Sequence, residues 1–81
     1  MAILSNNDLY GAVRDTISRF DSFGMQAAAN ELRAALSISS TPGEILGEIR
    51  LVLYKVEQNQ IPADIYYEIS SEMAYINSVL R

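Results

Sequence analysis

Asp64, Glu68 and Glu72 stand at i, i+4 and i+8 in the segment ADIYYEISSEMAYINSVL. On a helix that spacing sets three carboxylates along one side. Like charges one turn apart repel, so the stripe costs a little stability unless something compensates it. It could engage a basic protein surface, hold a hard cation such as Mg²⁺, or form an ordinary solvated face. Glu72 turns toward the edge of the apolar stripe Ile65, Ile69, Met73, Ile76 and Leu80, which disfavours a metal. Tyr67 points away from that stripe, and Tyr75 lies on the acids' side near Glu68. Tyrosine beside acid suits a cationic protein surface, because the ring gives contact area and the hydroxyl a directed bond. Isolated exposed tyrosines are equally ordinary. The partner-binding set is therefore Asp64, Tyr67, Glu68, Glu72 and Tyr75.

Catalytic chemistry is thinly provided. The chain has no histidine and no cysteine, so the common general base and the common soft nucleophile are both missing. Gly11, Gly24, Gly43 and Gly47 are scattered and form no phosphate loop. Ser39, Ser40 and Thr41 have no base close in sequence. A carboxylate–Mg²⁺ hydrolase built on Glu44/Glu48 or Glu68/Glu72 would lack a histidine ligand. The expectation is a binding protein without catalysis, cofactor or metal.

Charge narrows the partner. The net charge is −4, unevenly spread. Residues 1–55 carry six acids and five bases, whereas residues 56–81 carry four acids and only Arg81. Nucleic-acid affinity comes largely from phosphate neutralisation, so nucleic acid is a poor partner. A basic protein is a better one, since opposite potentials speed association. No segment approaches the roughly 18 continuous apolar residues of a membrane helix. The opening MAIL lacks the features of a signal peptide. A cytoplasmic, membrane-free protein is expected, and the lack of cysteine fits a reducing compartment. At 81 residues the chain is one domain with a limited core, for which a homodimer would be a way to gain buried area.

The apolar periodicity predicts four helices, at about 6–22, 25–37, 42–58 and 62–80. Residues 1–4 read as a short lead-in. The first helix carries Leu9, Val13, Thr16, Ile17 and Phe20, with Tyr10 at the edge. It is capped by Ser5, Asn6 or Asn7 and ended by Gly24. Asp15 precedes Arg19 by four residues, the spacing of a surface ion pair. The second helix carries Met25, Ala29, Leu32 and Leu36, with Ala28 and Ala35 beside them, and Ser37–Ser40 form a loop. The third opens on a capping box, Thr41 with Glu44 three residues on and Pro42 at the first helical position. Its core residues are Ile45, Leu46, Ile49, Val52, Leu53 and Val56. Leu51 and Tyr54 point away from that face, near Gly47. A helix this apolar is usually central and covered on both sides, and that reading is favoured here; the alternative is a self-association seam made by Leu51 and Tyr54. Pro62 opens the fourth helix, leaving Ile61 outside it. Short loops make neighbours antiparallel. The expected fold is all-α, a small four-helix antiparallel bundle of two hairpins. Leu9–Phe20 and Ile45–Val56 echo each other 36 residues apart, pairing Gly11/Gly47, Val13/Ile49, Arg14/Arg50, Ile17/Leu53 and Arg19/Lys55.

The segment AANELRAALSISSTPGEILGEIRLVLYKV (Ala28–Val56) resembles a type of short all-helical bacterial protein. An alanine/leucine helix (Leu32, Leu36), a serine-threonine turn (Ser40, Thr41) and an arginine-bearing helix (Glu44, Ile45, Leu46, Arg50) carry the likeness. Some such proteins are immunity partners of bacterial toxins, including contact-dependent inhibition systems. The resemblance implies a small acidic inhibitor that occludes a basic toxin domain, with the last helix imitating substrate charge. It assigns no functional residue. The alternatives are a structural or regulatory homodimer through Leu51 and Tyr54, such as an assembly subunit, and, third, the Mg²⁺-dependent hydrolase.

Overall fold

The computed structural model describes residues 2–38 and 41–80. Four α-helices form, α1 (Asn6–Ser22), α2 (Gln26–Ser37), α3 (Pro42–Glu57) and α4 (Ala63–Val79), with no strand among the described residues. The fold is an all-α four-helix bundle, as the periodicity predicts. Helices α1 and α2 pack as one hairpin and α3 and α4 as the other, while α1 also packs on α4 and α2 on α3. The contacts close into a ring. No helix is central, so α3 has an outer face, and Leu51 (59% exposed) and Tyr54 (56%) stand on it. The expectation that another helix covers them fails because the ring gives α3 only two flanking neighbours. Among the described residues, no helix is long and apolar enough to cross a membrane.

Helix starts follow the predicted chemistry with local differences. Ser5 caps α1 by accepting from the Asp8 N–H at 3.2 Å, and Asp8 reaches back to the Leu4 N–H at 3.1 Å. Thr41 caps α3 by accepting from the Glu44 N–H at 3.3 Å. Glu44 reaches back as expected, but it takes the Thr41 hydroxyl proton, at 3.1 Å. Pro62 is extended (ψ 147°) and sits at the N-cap of α4 rather than inside its first turn, so helical bonding starts with Tyr66 N–H to the Pro62 carbonyl at 3.0 Å. Ile61 lies outside the helix. The loop expected at Ser37–Ser40 falls partly on Ser39 and Ser40, and the lead-in partly on Met1, all outside the described residues.

The α1–α2 turn needs its glycine. Gly24 has φ +85°, a left-handed conformation that side chains resist. Met25 N–H donates to the Phe20 carbonyl at 2.7 Å and Gly24 N–H to that of Asp21 at 3.3 Å. These are the paired bonds of a Schellman motif, which satisfies carbonyls the helix leaves open. Met25 is thereby used by the turn and α2 begins at Gln26.

The core takes Leu9, Val13, Ile17 and Phe20 from α1, Ala29 and Leu32 from α2, Leu46, Ile49 and Leu53 from α3, and Ile65, Ile69 and Ile76 from α4. Residues 36 apart on α1 and α3 share their burial: Val13 with Ile49, Ile17 with Leu53, Phe20 with Val56. In α4 the stripe departs from expectation. Met73 and Leu80 are half-buried, and the fully buried series is Ile65, Ile69, Glu72, Ile76. Spacings of 4, 3 and 4 keep one face turned to the core, so the position between Ile69 and Ile76 is filled by a glutamate.

A candidate cation-binding cleft between the first and last helices

The acids of α4 do not form a free stripe. Arg19 of α1 reaches across to both Asp64 (Nη1–Oδ2, 2.8 Å) and Glu68 (Nε–Oε2, 2.7 Å). The surface pair anticipated between Asp15 and Arg19 is replaced by these cross-helix contacts, because α4 brings two carboxylates to one guanidinium. The Glu68 contact is a close charge contact without the alignment of a hydrogen bond. Burial raises the Glu68 pKa above the usual carboxylate value; Arg19 opposes that, while Asp15 and Asp64 add to it.

Glu72 is 0% exposed and cannot touch a partner as the protein stands, which corrects its place in the partner-binding set. Its partner is Thr16. The two are the buried polar residues among those described, and each sits in its helix's core stripe. Thr16 Oγ1 lies 2.6 Å from Glu72 Oε2 and 3.1 Å from the Ala12 carbonyl. A threonine hydroxyl has one hydrogen to give. When Glu72 is ionised Thr16 donates to its Oε2 and leaves the Ala12 carbonyl without that hydrogen; when Glu72 is a neutral acid the direction can reverse, its O–H donating to Thr16 and Thr16 to Ala12. The electrostatics favour the neutral acid. Burial pushes the Glu72 pKa up to about 7, helped by Glu68 and Asp15 and opposed by the Thr16 bond. Its second oxygen, Oε1, is buried with no hydrogen-bond partner among the described residues.

These groups line one cleft of about 320 Å³ between α1 and α4. Ala12 and Arg19 form the α1 wall, Ile3 of the lead-in lies at one side, and Asp64, Tyr67, Glu68, Ser71 and Glu72 form the α4 wall. Tyr67 is 72% exposed. Tyr75 lies elsewhere. It is half-buried, and its hydroxyl donates to Asn6 Oδ1 at 2.6 Å, tying the end of α4 to the start of α1. Tyr75 is thus a brace between helix ends, which removes it from the expected contact surface. Asp64, Tyr67, Glu68 and Glu72 are brought together, with Glu72 as lining rather than surface. Leu51 and Tyr54 are on α3, apart from the cleft.

The sequence reading missed Arg19, Thr16, Ser71 and Ile3 as parts of this site. Thr16 carried a usable signal, a polar residue inside an apolar stripe, which demands a buried partner. Arg19 carried none, since nothing in the sequence states which helix lies beside it. Among the described residues, no group of three or more acidic, histidine or cysteine side chains is placed to hold a metal ion. No protein-family model, no curated protein and no solved structure matches the chain.

Proposed function

We propose that this protein is a non-catalytic binding module for a basic protein, of the inhibitor or immunity type. The α1/α4 cleft carries this reading. It sets two carboxylates, Asp64 and Glu68, and an exposed tyrosine around one arginine, so its charge is negative even after internal pairing and with Glu72 neutral. The partner's cations would compete with Arg19 for Asp64 and Glu68, in a cleft where partial burial strengthens each charge contact. A basic toxin domain is the most concrete partner, blocked by occupation of its cationic surface. The test is the association rate with a basic protein recovered by pull-down from the source cell. Asp64→Lys with Glu68→Lys should slow association at least about tenfold at low salt and flatten its salt dependence. Unchanged kinetics would contradict the reading.

A second reading has its own observation. Leu51 and Tyr54, one turn apart on the outer face of α3, are both more than half exposed. A homodimer through this seam predicts that wild type sediments as a dimer at micromolar concentration and Leu51→Glu as a monomer. A monomeric wild type would remove it.

A further inference from the structure

The outer face of α3 carries more than an exposed apolar pair. With α2 and α4 on its flanks, the residues turned from the core are Glu44, Gly47, Leu51, Tyr54 and Gln58. Their spacings of 3, 4, 3 and 4 are those of the seam between two coiled helices. Glu44, Leu51 and Gln58 take the a positions, and Gly47 and Tyr54 the d positions. Leu51 and Tyr54 make its apolar centre. Gly47 lies with Leu51 and Ile38 in a groove of about 400 Å³, and a carbon added to it would meet nothing within 4 Å. That leaves room for a bulky side chain from across the seam.

The charges beside the seam indicate what covers it. Glu48 and Lys55 stand at its e positions, and Arg50 and Glu57 at its g positions. Charges at e and g set the partner and orientation of paired helices. Reversing one of two helices brings e positions to e and g to g. Two copies of α3 placed antiparallel, with Leu51 against Tyr54 of the other copy, therefore bring Glu48 to Lys55 and Arg50 to Glu57. A two-fold axis repeats both contacts. Every pair is opposite in sign. Parallel helices bring g positions to e, so Arg50 would meet Lys55 on both sides of the seam. The face is complementary to itself in one orientation and repels itself in the other. Among the described residues, Glu48 and Glu57 form no ion pair. Lys55 holds Glu31 and Arg50 holds Asn77, each leaving further N–H donors for a second acceptor.

We propose that the outer face of α3 binds a second copy of this chain, antiparallel across a two-fold axis, with Leu51 packed on Tyr54 of the other copy. This rests on the homodimer reading above and adds its orientation and register. The apolar pair supplies the attraction, while the exposed ion pairs select orientation rather than strength. The α1/α4 cleft contains no α3 residue, so the two surfaces are separate.

Sedimentation equilibrium tests the face, and cross-linking tests the register. Wild type should be dimeric at micromolar concentration, and Leu51→Glu should weaken association at least about tenfold. Glu48→Lys sets like charges opposite each other and should weaken it about fivefold; adding Lys55→Glu restores opposite signs and should recover most of that loss. The chain has no cysteine, so introduced thiols report geometry directly. An oxidised mixture of Leu51→Cys and Tyr54→Cys chains should give a cross-linked species containing one of each, because a disulfide needs Cα atoms within about 7 Å. Neither variant alone should cross-link to itself. Melting curves verify the fold of each variant. A monomeric wild type, or a dimer indifferent to Leu51→Glu, would overturn the proposal together with the homodimer reading. A dimer broken by Leu51→Glu but not rescued by the charge exchange, or cross-linked only between identical positions, would overturn the orientation and leave the homodimer reading standing.

Discussion

The two seams that close the ring are built alike and filled differently. Shifting residue numbers by 36 carries α1 onto α3 and α4 onto α2, so the α1/α4 seam corresponds to the α2/α3 seam. Each has a basic residue at its rim: Arg19 pairs with Asp64 and Glu68, and its counterpart Lys55 with Glu31 at 2.8 Å. Inside, the resemblance ends. Thr16 and Glu72 correspond to Val52 and Leu36, both apolar. One frame thus accommodates either filling. Since burying a polar group without full pairing costs stability, the polar seam is the less economical of the two. Such local departures from good core design concentrate at functional sites. That contrast directs attention to α1/α4 more firmly than the acid spacing alone.

The largest expected effect falls on the apolar seam. Leu32→Ala removes a fully buried side chain of α2 and should cost about 2–5 kcal/mol in urea unfolding. That loss should be the same at pH 5 and pH 8, because no titrating group is involved; a pH-dependent loss would blur the distinction between the seams.

Next is the pH dependence of the polar seam. Glu72 has a folded pKa raised from 4.5 to about 7, so the folded state holds this proton more tightly than the unfolded chain. Its contribution is fully present below pH 4.5 and is lost as pH rises to about 7, levelling off above. For this buried group the loss is on the order of 3 kcal/mol. Comparing urea midpoints of wild type and Glu72→Gln across that range isolates it, and the variant should lack this fall.

Converting one seam into the other is the third test. Thr16→Val with Glu72→Leu copies the apolar filling and should stabilise the fold at pH 8 by about 1–4 kcal/mol. The double variant gaining no stability would mean that the polar pair costs nothing. The smallest effects belong to the rims. Arg19→Ala and Lys55→Ala should each change stability by only about 0–1 kcal/mol, since both cations are about half exposed.

The fold was legible because it rests on local signals: the apolar period of four segments, Thr41 with Pro42, and Gly24 at a turn. The site was legible only in part. Asp64, Tyr67 and Glu68 follow from spacing on α4, and Glu72 was seen to turn toward the core. Its burial was not anticipated, because the apolar Met73 claimed the stripe position by residue type, whereas the register from Ile69 to Ile76 gives it to Glu72. Arg19's pairing and the cleft itself depend on which helices lie side by side. That is a tertiary fact, absent from any single helix. The same reason explains α3, whose apolar composition suggested a central helix while the closed ring left Leu51 and Tyr54 outside.

The central claim is that Glu72 is kept as a neutral acid at the α1/α4 seam. It is tested most directly by following the Glu72 side-chain carboxyl carbon by NMR as pH is raised from 3 to 9. A titration midpoint near 7 is predicted. A midpoint at or below 4.5, the ordinary value for a glutamate, would contradict it.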